Sequence, residues 1–109
     1  MSRAEVRHEN RLDPRNWPTE ATPVSVGWRF VSIGFEGDPT DIGGGLDPWT
    51  VDWGPTTGWI VAAHPSYPWQ RHSMAVYEPE ARGRRCTFAA GELSNGVWGF
   101  FVPEDGDGA

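Results

Sequence analysis

The chain has 109 residues, a length typical of one small domain, and a net charge of −6 at neutral pH. Its basic residues are all arginines and form no basic stripe, which argues against a nucleic-acid partner. A single cysteine, Cys86, excludes an internal disulfide and a multi-cysteine zinc site within one chain.

No stretch of the sequence has the character of a targeting or membrane-spanning segment. The start, "MSRAEVRHENRLDP", is charged and lacks the apolar region of a secretory signal. No run of about 18 apolar residues occurs, as a membrane-spanning helix would require. We therefore expect a soluble cytoplasmic protein with no membrane partner.

The chain divides into three parts by composition. Residues 1–23 are polar, contain three prolines and show only a thin apolar stripe, so we expect a loosely ordered N-terminal arm. Residues 24–102 have the patterning of one β domain. Residues 103–109, "PEDGDGA", are expected to form a flexible acidic tail.

The first predicted strand is 24–35, "VSVGWRFVSIGF", and its apolar residues change parity after Phe30. Two explanations fit this pattern: a β-bulge after Phe30 resets the register, or the strand is buried on both faces. The glycine-rich segment 36–48 that follows is expected to be a surface loop.

Two strands, 49–53 and 59–63, are predicted next as a β-hairpin joined by the turn residues 54–58. In "WTVDW" the alternation places Trp49 and Trp53 on one face, with Trp59 just beyond the turn. These tryptophans form either part of the core or the wall of a pocket for a flat or sugar-like ligand.

Three more strands are predicted at 72–78, 84–90 and 97–102, with a tight turn at Asn95-Gly96 before the last. About six strands with short connections and no long helix predict an all-β fold, a small antiparallel sandwich or barrel.

The segment 64–72, "HPSYPWQRH", lies between two of these strands and holds the main candidate site residues. If this segment is a hairpin loop, His64 and His72 lie at its base and are cross-strand neighbours. They act either as general bases, with Arg71 holding a carboxylate or oxyanion, or as hydrogen-bonding anchors of the loop. No metal-binding motif is present, so we expect no metal or cofactor. If His64 and His72 did hold a metal ion, a third ligand would have to come from Glu78, Asp52, Glu92 or His8.

Tyr67 and Trp69 in the same segment supply rigid aromatic area beside the planar donors of Arg71. Pro65 and Pro68 restrict the backbone and would pre-organise the loop. The alternative is that both aromatic rings fold back over the end of the core as a plug.

Other reactive or glycine-rich features favour plainer interpretations. Cys86 is expected to be a small buried residue rather than a nucleophile. The arginines near position 84 are expected to form a solvated turn, and Gly43, Gly44 and Gly45 a plain loop without the lysine of a phosphate-binding motif.

The sequence thus predicts a small non-catalytic binding domain whose partner is a protein, as for an inhibitor or immunity protein, or a small molecule. Its predicted binding residues are Tyr67, Trp69, Arg71, Trp49, Trp53 and Trp59. The alternative is a small β-barrel enzyme of isomerase or lyase type that uses His64, His72 and Arg71 in a pocket at the barrel mouth. A third hypothesis is a homodimer that uses the aromatic residues against each other.

Overall fold

The computed structural model describes residues 18–19 and 22–104, and it confirms the all-β prediction. These described residues form seven strands: β1 Trp28–Phe35, β2 Gly58–Ala63, β3 Arg71–Tyr77, β4 Glu80–Ala81, β5 Arg84–Arg85, β6 Phe88–Ser94 and β7 Val97–Pro103. The described residues contain one helical element, the 3₁₀ turn Pro48–Thr50.

Most of the expected N-terminal arm and of the acidic tail, namely residues 1–17, 20–21 and 105–109, lies outside the described residues. In the part of the chain that is described, no helix is long and apolar enough to cross a membrane.

Five strands form one antiparallel sheet in the order β1-β7-β6-β3-β2, and β4 and β5 form a separate ribbon. The residues directly before β1 bond to β2 at the far edge of this sheet. The Ser25 N–H donates to the Val61 carbonyl at 3.0 Å, and the Ala63 N–H donates to the Pro23 carbonyl at 2.8 Å. Because these bonds join β2 to the segment that leads into β1 at the opposite edge, the sheet closes into a small barrel there.

The inside of the barrel is the first of two cores. Side chains alternate between the two faces of each strand, so every second residue points inwards. The buried residues of this inner core are Ile60, Ala62, Met74, Val76, Ala89, Leu93 and Phe101. Trp28 and Phe30 of β1 pack against them, and the Phe30 ring meets that of Phe101 edge to face at 5.7 Å.

A β-bulge interrupts β1 at the position where the apolar pattern changes parity. Phe30 pairs with Phe101, but Ser32 pairs with Phe100, so Val31 is the additional residue. Val31 packs against the second core instead of the barrel interior. The first of the two explanations for the pattern after Phe30, a reset of register by a bulge, is confirmed.

The second, outer core lies on the outside of the barrel beneath residues 36–57. The sheet contributes Tyr77, Phe88, Ala90, Trp98, Phe100 and Val102, and the covering segment contributes Ile42, Leu46, Trp49 and Trp53. Because β7 and the first part of β6 are covered on both faces, residues 97–102 and 88–90 are nearly continuous apolar runs.

The predicted strand at 49–53, and with it the hairpin to 59–63, is wrong. Asp47 caps the 3₁₀ turn by accepting the Trp49 N–H at 3.1 Å, and a proline occupies the first position of that turn. The Trp49 and Trp53 rings lie 5.5 Å apart and both cover the sheet. The alternating pattern of residues 49–53 therefore arises from two tryptophans of a loop whose rings pack on the barrel.

The predicted strand at 84–90 is divided in the structure. β5 ends at Arg85 and β6 begins at Phe88, while Cys86 lies between them and donates its backbone N–H to the Pro79 carbonyl at 2.7 Å. The β4–β5 ribbon is thereby separated from the barrel sheet.

Candidate functional site

The loop between β2 and β3 covers residues 64–70 and is closed by backbone hydrogen bonds. The His64 N–H donates to the Gln70 carbonyl at 2.9 Å, and the Gln70 N–H donates to the Tyr67 carbonyl at 2.8 Å. Up to the loop the strands stay in register, with Ala63 opposite Arg71. The segment therefore forms a hairpin loop with fixed ends.

His64 is the buried centre of this loop, with 1% of its surface exposed. Its Nδ1 accepts the N–H groups of Ser66 at 3.0 Å and Tyr67 at 3.1 Å. A ring nitrogen that accepts two N–H groups carries no proton, so the loop holds the neutral imidazole. Loss of solvent on burial lowers the pKa of His64 below its ordinary value. This geometry is that of a loop anchor.

The two histidines lie on one face of the hairpin and Arg71 lies on the other. His72 pairs with Ala62, whose side chain is in the inner core. His64 follows Ala62 by two residues and lies opposite Gln70. The histidines are therefore diagonal neighbours on the inward face. Arg71, one residue before His72, points outwards because of strand alternation. The structure does not bring the arginine to the histidines.

The hairpin carries a group of exposed residues that we call the hairpin surface: Trp59, Val61, Tyr67, Trp69 and Arg71. Trp59 is 64% exposed and Trp69 is 69% exposed. The Tyr67 and Trp69 rings lie 5.5 Å apart. Four of these five residues, all but Val61, are among those that the sequence predicts for binding.

Trp49 and Trp53, also predicted for binding, belong to the outer core. The Trp53 ring contacts those of Tyr77 at 4.9 Å and Phe88 at 5.2 Å, and its Nε1–H donates to the Pro48 carbonyl at 2.6 Å. The structure brings these two tryptophans together with the sheet but not with Trp59, which remains in solvent.

A second feature, which sequence reasoning missed, is a cleft of about 330 Å³ between the glycine loop and the β4–β5 turn. Its lining residues are Gly44, Gly45, Leu46, Asp47, Thr50, Val51, Ala81, Arg82, Arg84 and Cys86. The Arg82 guanidinium reaches the carbonyls of Gly44 and Gly45 across 38 and 37 residues of sequence. No local sequence pattern predicts this contact, because the glycine loop and the β4–β5 turn each have the sequence of an ordinary turn.

Cys86 is half-buried in the wall of this cleft, away from the histidines of the hairpin loop. Its thiol lies 3.7 Å from the Arg84 carbonyl and 4.0 Å from that of Ala81, as a weak donor. Among the described residues, no group of three or more histidine, cysteine, aspartate or glutamate side chains is arranged to hold a metal ion.

Comparisons of the chain with protein-family models, with curated proteins and with solved structures find no significant match.

Proposed function

We propose that this chain is a small non-catalytic binding domain whose hairpin surface recognises another protein. The observation that carries the proposal is the exposure of Trp59 and Trp69, at 64% and 69%, on one hairpin. Tryptophan, tyrosine and arginine dominate the binding energy of protein interfaces. Exposed apolar side chains that lie together mark such interfaces, and the Tyr67 and Trp69 rings lie 5.5 Å apart on the loop.

The loop is also held in shape before it meets a partner. Its ends are tied by the His64–Gln70 backbone bond, and its turn is held by the two N–H groups that His64 accepts. Binding then requires little further ordering of the chain, which lowers the entropic cost of association.

The form and charge of the molecule favour a protein with a basic surface as the partner. The hairpin surface consists of exposed side chains on one hairpin, whereas small-molecule sites are concave. A net charge of −6 attracts a basic partner and opposes the approach of a second copy of this chain. Arg71 would then meet a carboxylate or carbonyl within the interface.

Acid–base catalysis, the alternative predicted from the sequence, has no comparable support. Nδ1 of His64 is engaged by two backbone N–H groups, and Arg71 projects from the opposite face of the hairpin. A general base and the group that stabilises charge must converge on one reacting atom. We therefore propose binding alone.

The experiment is affinity capture with the immobilised chain, in parallel with its Trp59→Ala, Trp69→Ala and Phe35→Ala variants. Phe35 is 56% exposed but lies at the end of β1, outside the hairpin surface, so it is the matched control. We expect a basic protein that wild type and Phe35→Ala retain and both tryptophan variants lose. The captured protein is then purified and must co-elute with wild type in gel filtration.

Two results would contradict the proposal. One is that no retained protein depends on Trp59 or Trp69. The other is that the free chain sediments as a dimer which Trp69→Ala dissociates, because a second copy would then already cover the hairpin surface.

A further inference from the structure

We propose that the cleft between the glycine loop and the β4–β5 turn binds a small carboxylate with a short apolar body. This site is separate from the hairpin surface and does not depend on the proposed function. Its lining combines two arginines, Arg82 and Arg84, with the apolar side chains of Leu46, Val51 and Ala81. A volume of about 330 Å³ lies at the small end of the range for ligand sites.

Arg82 occupies a backbone position that arginine does not favour. Ala81 and Arg84 are the nearest paired residues of the ribbon, so Arg82 and Gly83 form a two-residue turn. Their φ angles are +56° and +79°, the left-handed values of the turn type in which asparagine and glycine prevail. Strain retained by a non-glycine residue is a reason to look for a role of its side chain.

The side chain of Arg82 is placed at the cleft without a strong partner of its own. Its Nη1 and Nη2 lie 3.5 Å from the carbonyls of Gly44 and Gly45, at the outer limit of a hydrogen bond. Within the described residues it has no carboxylate partner, whereas Arg85 on the same ribbon pairs with Glu78 at 3.5 Å. Its planar N–H groups are therefore suited to donate to an oxyanion, which would bind them more strongly than the two carbonyls at 3.5 Å do.

The glycine loop is shaped around this arginine. Gly45 has a φ of +78°, and a Cβ there would come within 3.2 Å of Arg82 Nη1. An alanine at this position would require the guanidinium to shift by a few tenths of an ångström. The two segments are thus fitted to each other although they are distant in sequence.

The lining favours a carboxylate over a phosphate. Asp47 also lines the cleft, and its negative charge opposes the higher charge of a phosphate more than that of a carboxylate. The apolar residues beside the arginines match a short hydrocarbon body. Butyrate has both features, and butyramide has nearly the same shape without the charge.

The test is an NMR titration of the full chain, following the backbone amides of Gly44 and Gly45. Butyrate, butyramide and inorganic phosphate are added separately at constant low ionic strength. We expect saturable shifts with butyrate, and binding of butyramide and phosphate weaker by about tenfold or more, as for a lost or mismatched charge-assisted pair. Arg82→Asn should abolish the butyrate shifts, because asparagine fits the turn but lacks the guanidinium.

Arg85→Gln is the matched control, since it removes the same charge from the same ribbon outside the cleft. It should leave the butyrate affinity within about twofold, an effect of long-range charge alone. The proposal is overturned by an absence of saturable shifts with butyrate, by equal losses in Arg82→Asn and Arg85→Gln, or by tighter binding of phosphate than of butyrate. The comparison of butyrate with butyramide on the wild-type chain decides the matter even if a variant fails to fold.

Discussion

The His64 imidazole lies against the Tyr67 ring, with the two centroids 4.8 Å apart and the ring planes tilted by 42°, and it also accepts the Tyr67 backbone N–H at 3.1 Å. One buried side chain thus fixes both the ring and the backbone of an exposed aromatic residue. Protonation of Nδ1 would replace an acceptor with a donor that faces two N–H groups. The shape of the hairpin surface is therefore linked to the neutral state of His64.

The first prediction concerns the pH dependence of stability. The folded chain lowers the pKa of His64 below the unfolded value of about 6.5, so between these two pKa values the unfolded state binds the extra proton. The His64 contribution to the free energy of unfolding should be complete above pH 6.5 and decline as the pH falls through this window. Urea unfolding across a pH series measures it. In His64→Asn, whose side-chain oxygen keeps an acceptor there, the decline should be smaller; equal slopes in both proteins would contradict the prediction.

The second prediction separates a core tryptophan from a surface tryptophan. Trp53→Ala removes a ring that lies against Tyr77, Phe88 and Trp98, and should cost about 3–5 kcal/mol of unfolding free energy. Trp69→Ala removes a mostly exposed ring and should cost about 0.5 kcal/mol or less. Denaturant titrations of the two variants give the comparison. A cost for Trp69→Ala as large as that for Trp53→Ala would mean that the ring is a core residue.

The third prediction tests the closure of the barrel. The Ser25 hydroxyl accepts the Val61 N–H at 2.9 Å. The Ala63 N–H instead donates to a backbone group, the Pro23 carbonyl. Ser25→Ala should cost about 1 kcal/mol, the typical net value of one hydrogen bond. Hydrogen exchange should accelerate at the Val61 amide and change little at that of Ala63. Unchanged exchange at Val61 would show that the serine does not hold this seam.

The fourth prediction concerns the packing of the barrel interior. A Cβ at Gly91 would collide with Sδ of Met74, so Gly91→Ala should cost about 1–3 kcal/mol by overpacking. Gly58→Ala is the control, because nothing lies within 4 Å of its Cβ position, and it should be neutral or slightly stabilising. In a double-mutant cycle, Met74→Ala should relieve part of the Gly91→Ala penalty. Additive costs would indicate that Met74 is not the obstacle.

The sequence predicted the strands of the barrel well where burial on one or both faces leaves a periodic apolar pattern. The bulge after Phe30 was one of two readings of such a pattern, and the Asn95-Gly96 turn lies between β6 and β7 as expected. The same periodicity predicted a strand wrongly at 49–53, where apolar and polar residues alternate although Trp49 and Trp53 lie on a loop. Their rings are directed to the sheet by tertiary contacts that a local pattern does not contain.

The candidate sites were predictable only in part, for a related reason. The hairpin loop is a continuous segment, so its aromatic residues could be identified together from sequence. Which rings are exposed was not predictable, because Trp59 and Trp53 differ in neighbours and not in residue type. The cleft joins Gly45 to Arg82, and only the closed fold brings these positions together.

The most direct test of the central claim is a calorimetric titration of the purified partner into wild type, Trp69→Ala and Phe35→Ala. If the hairpin surface is the recognition site, Trp69→Ala should weaken binding by about 2 kcal/mol or more, as at an interface hot spot, and Phe35→Ala should bind like wild type. Equal affinities for wild type and Trp69→Ala, with the variant as stable as wild type, would contradict the account.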